Sequence, residues 1–99
     1  MAEMCEAREM VRWVVGGGAG DRLLDRAAVC GGRGGKRRDA VPGLTMTPTI
    51  EGEARSFPMC WKCFKWCGDW MHGAGVRMTV REWAEDGAEI LRLDIEPVG

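Results

Sequence analysis

An alternation of apolar and polar residues on either side of Asp86-Gly87 constrains the fold more than any other feature of the sequence. The apolar positions of this alternation are Val76, Met78, Val80, Leu91, Leu93 and Ile95. A period of two residues is typical of a strand with one buried face, and Asp-Gly favours a two-residue hairpin turn. The pattern therefore predicts an antiparallel hairpin over residues 76–96 that directs these side chains inward.

The turn also predicts which residues of the hairpin face each other. The expected cross-strand pairs include Val80–Leu93, Met78–Ile95, Thr79–Asp94, Arg77–Glu96 and Trp83–Ile90. A two-stranded hairpin is marginally stable in water, so its apolar face must pack against another element. A helix at residues 58–71, with Pro58 in its first turn, is the expected cover.

Two further segments complete the expected fold. Leu44 to Ile50 alternates apolar residues with Thr and predicts a strand, which Pro48 would confine to a sheet edge. Residues 2–15 and 22–30 carry apolar residues at helical spacing, with a glycine run between them. We therefore expect an α+β fold: an N-terminal helix or helix pair, a Gly/Arg-rich loop, and a β-α-β-β unit whose C-terminal hairpin packs on a Cys/Trp-rich helix.

Residues 31–43 divide the chain. They contain five glycines, one proline and four basic residues, too few apolar groups to offset the entropy of ordering them. We expect a flexible loop here, after an N-terminal helical segment (1–30) and before a small α+β unit (44–99). A chain of 99 residues has room for one domain overall.

Charge and hydropathy exclude some classes of protein. Fourteen basic and fifteen acidic residues nearly cancel, which argues against coating nucleic acid or membranes by bulk charge. The N-terminus lacks a signal-peptide pattern, and no apolar run is long enough to span a membrane. We therefore expect a cytoplasmic or nuclear protein without membrane contact, whose five cysteines are thiols or metal ligands and not disulfides.

The conspicuous chemistry lies in residues 58–72, here called the Cys/Trp segment. On a helix, Cys60, Cys63 and Cys67 share one face with apolar residues, while His72 lies opposite. The interpretation we favour from sequence is that the three cysteines are buried core residues, a common use of free cysteine. No metal or other cofactor is required by that interpretation.

Two sharper interpretations compete with it. Cys60, Cys63, Cys67 and His72 are four ligands of types that Zn²⁺ accepts, so a structural zinc site is an alternative, within a nucleic-acid-binding module. It requires the chain to turn before His72, and zinc modules normally bring ligand pairs from separate segments. Alternatively, Cys60 and Cys63 form a C-x-x-C pair at a helix start, which would suit thiol redox chemistry.

Candidate binding residues lie in two places. Trp61, Trp66 and Trp70 are hard to bury together in so small a domain, and tryptophan is a preferred interface anchor. Arg33, Lys36, Arg37 and Arg38 form a short basic cluster that could bind nucleic acid through phosphates, although a solvated loop is the favoured interpretation.

No arrangement of catalytic residues stands out in the sequence. The chain has one histidine, and its glycine-rich run at residues 16–20 lacks the context of a phosphate-binding loop. We therefore expect a non-enzymatic interaction or regulatory protein that binds an unknown protein partner through the Trp-rich helix and the hairpin.

Overall fold

The structure of the chain is a computed structural model, which describes residues 3–16, 22, 30 and 36–96. Helix α1 (Ala7–Val15) is followed by the strands β1 (Leu44–Ile50), β2 (Glu53–Ala54) and β3 (Phe57–Pro58). Helix α2 (Trp61–Gly73) then leads to the hairpin strands β4 (Arg77–Trp83) and β5 (Glu89–Ile95). The fold is mixed α+β, as the alternation and the helical spacings predict.

The five strands form one antiparallel sheet in the order β2-β1-β4-β5, with β3 also paired to β1. The predicted hairpin is confirmed, with Val80 opposite Leu93 and Met78 opposite Ile95. The predicted Trp83–Ile90 pair is wrong, because the register shifts after Glu82 and Trp83 pairs with Glu89. The turn is correspondingly wider than two residues: the Ala84 N–H donates to the Ala88 carbonyl at 2.8 Å.

Pro48 does not place β1 at an edge, contrary to expectation. The strand is interior, with β4 on one side and both β2 and β3 on the other. Proline has no N–H to donate to a neighbouring strand. This is tolerated because the Pro48 nitrogen faces the gap between β2 and β3, where no strand partner is needed. In that gap the Pro48 carbonyl accepts a hydrogen bond from the Arg55 N–H at 3.3 Å.

Helix α2 covers the middle of the sheet and leaves most of β5 exposed. A Cβ placed on Gly68 would lie 3.9 Å from the Met78 Cε and 4.0 Å from the Met46 Cε, so α2 crosses β4 and β1 at this residue. A helix is about 10 Å wide and strands are about 4.8 Å apart, so one helix covers about two strands. Leu93 lies opposite the buried Val80, on the face expected, and Leu91 shares that face, but both side chains are exposed and not buried.

Both helices begin later than the sequence predicts. Helix α1 begins at Ala7, and residues 3–6 instead run alongside residues 38–40. Helix α2 begins at Trp61, because Phe57 and Pro58 form β3. Among the described residues no helix combines the length and the apolar composition needed to cross a bilayer.

The predicted helix at 22–30 lies outside the described residues except for Arg22 and Cys30, and so does the 31–35 part of the predicted flexible loop. Residues 36–43 are docked on the rest of the chain. The Ala40 N–H donates to the Glu3 carbonyl at 2.8 Å, and the Val41 N–H to the Met59 carbonyl at 2.9 Å. The N-terminal segment and the sheet are thus joined around one core.

Candidate metal centre

Four buried cysteines meet at one point beside the start of α2. The Sγ atoms of Cys5, Cys30, Cys60 and Cys63 all lie within 4.8 Å of one another. All four side chains are buried, and all are free thiols. The cluster gathers cysteines that are far apart in the sequence, and we call it the four-cysteine cluster.

Backbone hydrogen bonds between separate segments position these cysteines. The Cys5 N–H donates to the Arg38 carbonyl at 2.9 Å, and the Glu6 N–H donates to the Pro58 carbonyl at 2.8 Å. Cys60 is the residue that precedes α2 in extended conformation, and Cys63 lies in the first turn of the helix. The extended N-terminal residues therefore bring Cys5 directly against the start of α2.

The sulfur atoms accept several N–H hydrogen bonds. The Cys30 N–H donates to the Cys63 Sγ at 3.2 Å, and the Arg38 N–H donates to the Cys30 Sγ at 3.3 Å. The Arg38 Nη1 lies 3.5 Å from the Cys30 Sγ and 4.0 Å from the Cys60 Sγ. Such donors favour the thiolate form of cysteine, because charge-assisted hydrogen bonds are the stronger ones.

The pKa shifts within the cluster are those of a site that stabilises a thiolate. A hydrogen bond with the Cys63 thiol lowers the pKa of Cys5 to about 5. The same bond and burial raise the pKa of Cys63, while burial raises the pKa of Cys30. The pKa of the Arg38 guanidinium is raised by its hydrogen bond with Cys60. The cluster thus stabilises charge on one sulfur, the form in which cysteine binds metals.

The dimensions and the donor set fit one thiophilic metal ion. A Zn–S distance of about 2.3 Å implies sulfur atoms about 3.8 Å apart at the corners of a tetrahedron. The Cys30 and Cys60 Sγ atoms are 3.8 Å apart. Four sulfur ligands without oxygen donors are typical of Zn²⁺ or of iron, and not of Mg²⁺ or Ca²⁺.

The zinc ligands expected from sequence are only partly brought together. Cys60 and Cys63 belong to the cluster, whereas Cys67 is buried one turn further along α2 and is not part of it. His72 is exposed, and no turn of the chain brings it to the sulfur atoms, because α2 continues to Gly73. The expectation that Cys60, Cys63 and Cys67 are buried in the core is correct. It did not include the close approach of Cys60 and Cys63 to Cys5 and Cys30.

Sequence reasoning missed Cys5 and Cys30 as partners of the C-x-x-C pair. One signal for them was available: a structural zinc site usually takes a second pair of ligands from another segment. Cys5 and Cys30 are the two remaining cysteines of the chain. Their wide separation in sequence hides the pairing, because recognised zinc spacings place each pair of ligands a few residues apart.

The three tryptophans of the Cys/Trp segment differ in exposure. Trp61 is 50% exposed, with its ring against the edge of Phe64 at a centroid distance of 5.5 Å. Trp66 and Trp70 are half-buried and stack on each other, with centroids 5.9 Å apart and planes 10° from parallel. Among the three, Trp61 therefore offers the largest free aromatic surface.

The basic cluster is only partly free to bind phosphate. Arg33 lies outside the described residues, and Lys36 is exposed. Arg37 forms an ion pair with Glu9, and Arg38 contacts the sulfur atoms of Cys30 and Cys60. Two of the four basic residues therefore already have acceptors within the chain.

No family model, curated protein or solved structure matches this chain. The four-cysteine cluster is the feature of the described residues with the most specific chemistry. It is the starting point for the function proposed below.

Proposed function

We propose that this protein is a small, non-enzymatic binding domain stapled by one structural Zn²⁺, which Cys5, Cys30, Cys60 and Cys63 hold as thiolates. The observation that carries the proposal is the convergence of four buried Sγ atoms within 4.8 Å. Tetrahedral coordination by four cysteines is a standard closed structural zinc site. Such a site leaves no coordination position for a substrate, so its role is to hold the fold.

The composition of the core supports a need for such a staple. Its large, fully buried side chains are mostly methionines, namely Met10, Met46, Met59, Met71 and Met78. Methionine fills space well but is flexible and specifies packing poorly. Small domains with weak cores often use a metal, whose binding energy then becomes folding energy.

Metal content tests this proposal directly. The untagged protein should contain one zinc per chain by elemental analysis, and a strong chelator should convert its far-ultraviolet circular dichroism spectrum to that of an unfolded chain because folding depends on the metal. Cobalt substitution should give the absorption of tetrahedral thiolate coordination.

Two helix cysteines provide a matched pair of variants. Cys63→Ala removes a proposed ligand, so the variant should lose zinc and unfold. Cys67→Ala removes the same number of atoms from an equally buried position outside the cluster. It should keep its zinc and lose on the order of 1 kcal/mol of stability through packing. Equal and mild effects in both variants would contradict the zinc proposal.

The same experiment separates zinc from the thiol-redox alternative. A folded, metal-free protein with a disulfide between two cluster cysteines would favour redox chemistry at Cys60 and its neighbours. Iron in place of zinc would leave the structural role of the site unchanged and correct only the identity of the metal, since a four-cysteine site accepts both.

A second component of the proposal is that the domain binds a partner through α2 and the hairpin. It is supported by exposed apolar side chains on these two elements: Trp61 at 50%, Ile90 at 64%, Leu91 at 43% and Leu93 at 49%. Large apolar side chains that stay exposed on a small domain are candidates for an interaction site.

Site-specific photocross-linking tests this second component. A benzophenone amino acid at position 61 or 90 should capture a partner in cells, because both side chains are exposed. The same group at Glu51, an exposed turn residue between β1 and β2, is the control and should capture nothing. Capture of the same proteins from all three positions would indicate nonspecific adhesion and contradict a defined binding surface.

A further inference from the structure

The outer side of β5 is the longest unpaired strand edge among the described residues. β5 has seven residues and pairs only with β4, whereas β2, at the opposite edge, has two residues. An unpaired edge presents backbone N–H and carbonyl groups that can pair with another strand. This edge also carries the exposed Leu91 and Leu93, whereas Leu44 is the one leucine buried in the core among the described residues.

The outward backbone groups of β5 belong to Arg92 and Asp94. The Trp83 N–H donates to the Gly43 carbonyl at 2.9 Å, so Trp83 directs its backbone groups toward β1. Because these directions alternate along a strand, Glu82 and Val80 bond toward β5, where their partners are Leu91 and Leu93. The residues between those partners, Arg92 and Asp94, therefore direct their N–H and carbonyl groups away from the sheet.

The sequence of β5 is complementary to itself in one antiparallel register. If Leu93 faces Leu93 of a second copy across a two-fold axis, Arg92 faces Asp94 of that copy and Leu91 faces Ile95. Arg92 and Asp94 lie on the same face, with the Arg92 Nε 3.5 Å from an Asp94 carboxylate oxygen. The Arg92–Asp94 pairs are then the ones that exchange backbone hydrogen bonds, two for each pair.

Neighbouring registers that use the same outward groups are unfavourable. An axis at Arg92 would place two guanidinium groups opposite each other, and an axis at Asp94 would place two carboxylates opposite each other. Like charges directly opposite on a sheet are destabilising. Of the registers centred on Arg92, Leu93 and Asp94, the charges therefore favour the one centred on Leu93.

We propose that two copies of this chain pair antiparallel through β5, centred on Leu93, to form one continuous sheet that contains the five strands of each copy. This proposal rests on the proposed role of the hairpin as a binding surface and assigns its partner as a second copy. The apolar row of Leu91, Leu93 and Ile95 then continues into the same row of the other copy, which removes leucine surface from water.

The interface is small, so the association is expected to be moderate. Pairing one strand with its copy buries less surface than a standard protein interface, which suggests a dissociation constant on the order of 10–100 µM. Such a dimer forms or dissociates with protein concentration.

Charge reversal tests the register. Sedimentation velocity of the 99-residue, metal-containing protein from about 1 to 500 µM should show monomers converting to dimers. Arg92→Asp and Asp94→Arg should each weaken dimerisation at least about tenfold, because every cross-strand charge pair becomes repulsive. The double variant Arg92→Asp/Asp94→Arg restores opposite charges and should regain most of the affinity. Glu53→Arg reverses a charge on the other edge strand, and dimerisation should be unchanged.

A second measurement does not alter these charges. A benzophenone group in place of Leu93 should give a covalent dimer whose cross-linked peptide contains residues 92–94 of the other copy. The thermal unfolding of each variant shows that it remains folded. A monomer throughout the concentration range, or a double variant as weak as the single variants, overturns the proposed dimer.

Failure of the dimer is distinguishable from failure of the binding surface. If the photocross-linker at positions 61 and 90 captures a different protein while the chain stays monomeric, the second-copy assignment is wrong and the hairpin surface stands. If it captures neither another protein nor a second copy, both proposals are wrong.

Discussion

Gly43 shows how one residue can determine whether β1 and β4 meet in register. Its φ is +80°, and an added Cβ would lie 2.1 Å from the Trp83 carbonyl oxygen. The Gly43 carbonyl in turn accepts the Trp83 N–H at 2.9 Å. The backbones approach so closely at this point that any side chain would force β4 away from β1.

We therefore expect Gly43→Ala to destabilise the protein by about 3 kcal/mol or more, through both the strained φ and the clash. Gly87→Ala is the control: its φ is +87°, but no atom lies within 4 Å of the added Cβ. Gly87→Ala should lower the free energy of unfolding by only about 1 kcal/mol, which is the cost of a positive φ in a residue with a Cβ. Urea unfolding of both variants gives the comparison, and equal losses would mean that β1 and β4 are not this close.

Cys67 predicts how stability depends on alkaline pH. Burial raises the pKa of the Cys67 thiol above its ordinary value of 9.0. Above that pH the unfolded chain loses this proton while the folded chain keeps it. The stabilisation is therefore complete below about pH 9 and declines as the pH rises toward the folded pKa, by up to about 1.4 kcal/mol per pH unit.

Comparing the zinc-loaded wild type with Cys67→Ala isolates this effect, because the four cluster cysteines ionise in the unfolded chain of both proteins and contribute equally to both pH profiles. Urea unfolding between about pH 8 and pH 10 should show that the stability of wild type relative to Cys67→Ala declines as the pH rises, because the variant has no thiol at position 67. Parallel pH profiles for the two proteins would show that Cys67 is accessible to water in the folded state.

At the scale of elements, one glycine lowers the stability of helix α2. Gly68 lies in the interior of the helix, where glycine costs conformational entropy relative to alanine. The Cβ of an alanine would make ordinary contacts with the Met46 and Met78 side chains, at 4.0 and 3.9 Å. Gly68→Ala should therefore stabilise the protein by roughly 0.5–1 kcal/mol.

Thermal unfolding measures this gain, with Gly73→Ala as a comparison at the last residue of the helix, where nothing lies within 4 Å of the added Cβ. The terminal position should gain less, because helix ends already fray. A loss of stability in Gly68→Ala would mean that α2 lies closer to the sheet than these contacts indicate.

The elements also show what the sequence alone could predict. The hairpin pairs Val80–Leu93 and Met78–Ile95 follow from alternation, because a period of two residues is a local property. The exposure of Leu93 does not follow from it, because covering a strand depends on how many helices lie over the sheet. Short strands such as β3 escape prediction for a similar reason, since two residues carry no period.

The candidate site was less predictable than the fold. The C-x-x-C pair of Cys60 and Cys63 is recognisable, since its spacing is local and typical of metal ligands. Cys5 enters the cluster through the hydrogen bond between its N–H and the Arg38 carbonyl, a contact between segments that no pattern in either one encodes. Long-range placement of this kind requires the three-dimensional structure.

At the scale of the whole molecule, the N-terminal residues are part of the core and not an appendage to the sheet. Ala7, Met10 and Val11 of α1 are fully buried, and Trp13 packs against Phe57 of β3 at a centroid distance of 6.0 Å. The proposed metal site draws two of its four ligands from the first 30 residues. The division at residues 31–43 is therefore one of sequence composition, across which the packing is continuous.

This continuity predicts that a fragment of residues 44–99 does not fold, although it contains all five strands of the described part of the chain. It lacks Cys5 and Cys30, so zinc would have only two of the four cluster ligands, and α1 would no longer cover β3. In the presence of zinc, the fragment should show no cooperative thermal transition by circular dichroism, while the full chain should. Adding a peptide of residues 1–43 together with zinc should restore the transition, because it returns both missing ligands and the buried face of α1. A fragment that melts cooperatively alone would show that the sheet and α2 are an independent unit and that the cluster is dispensable for folding.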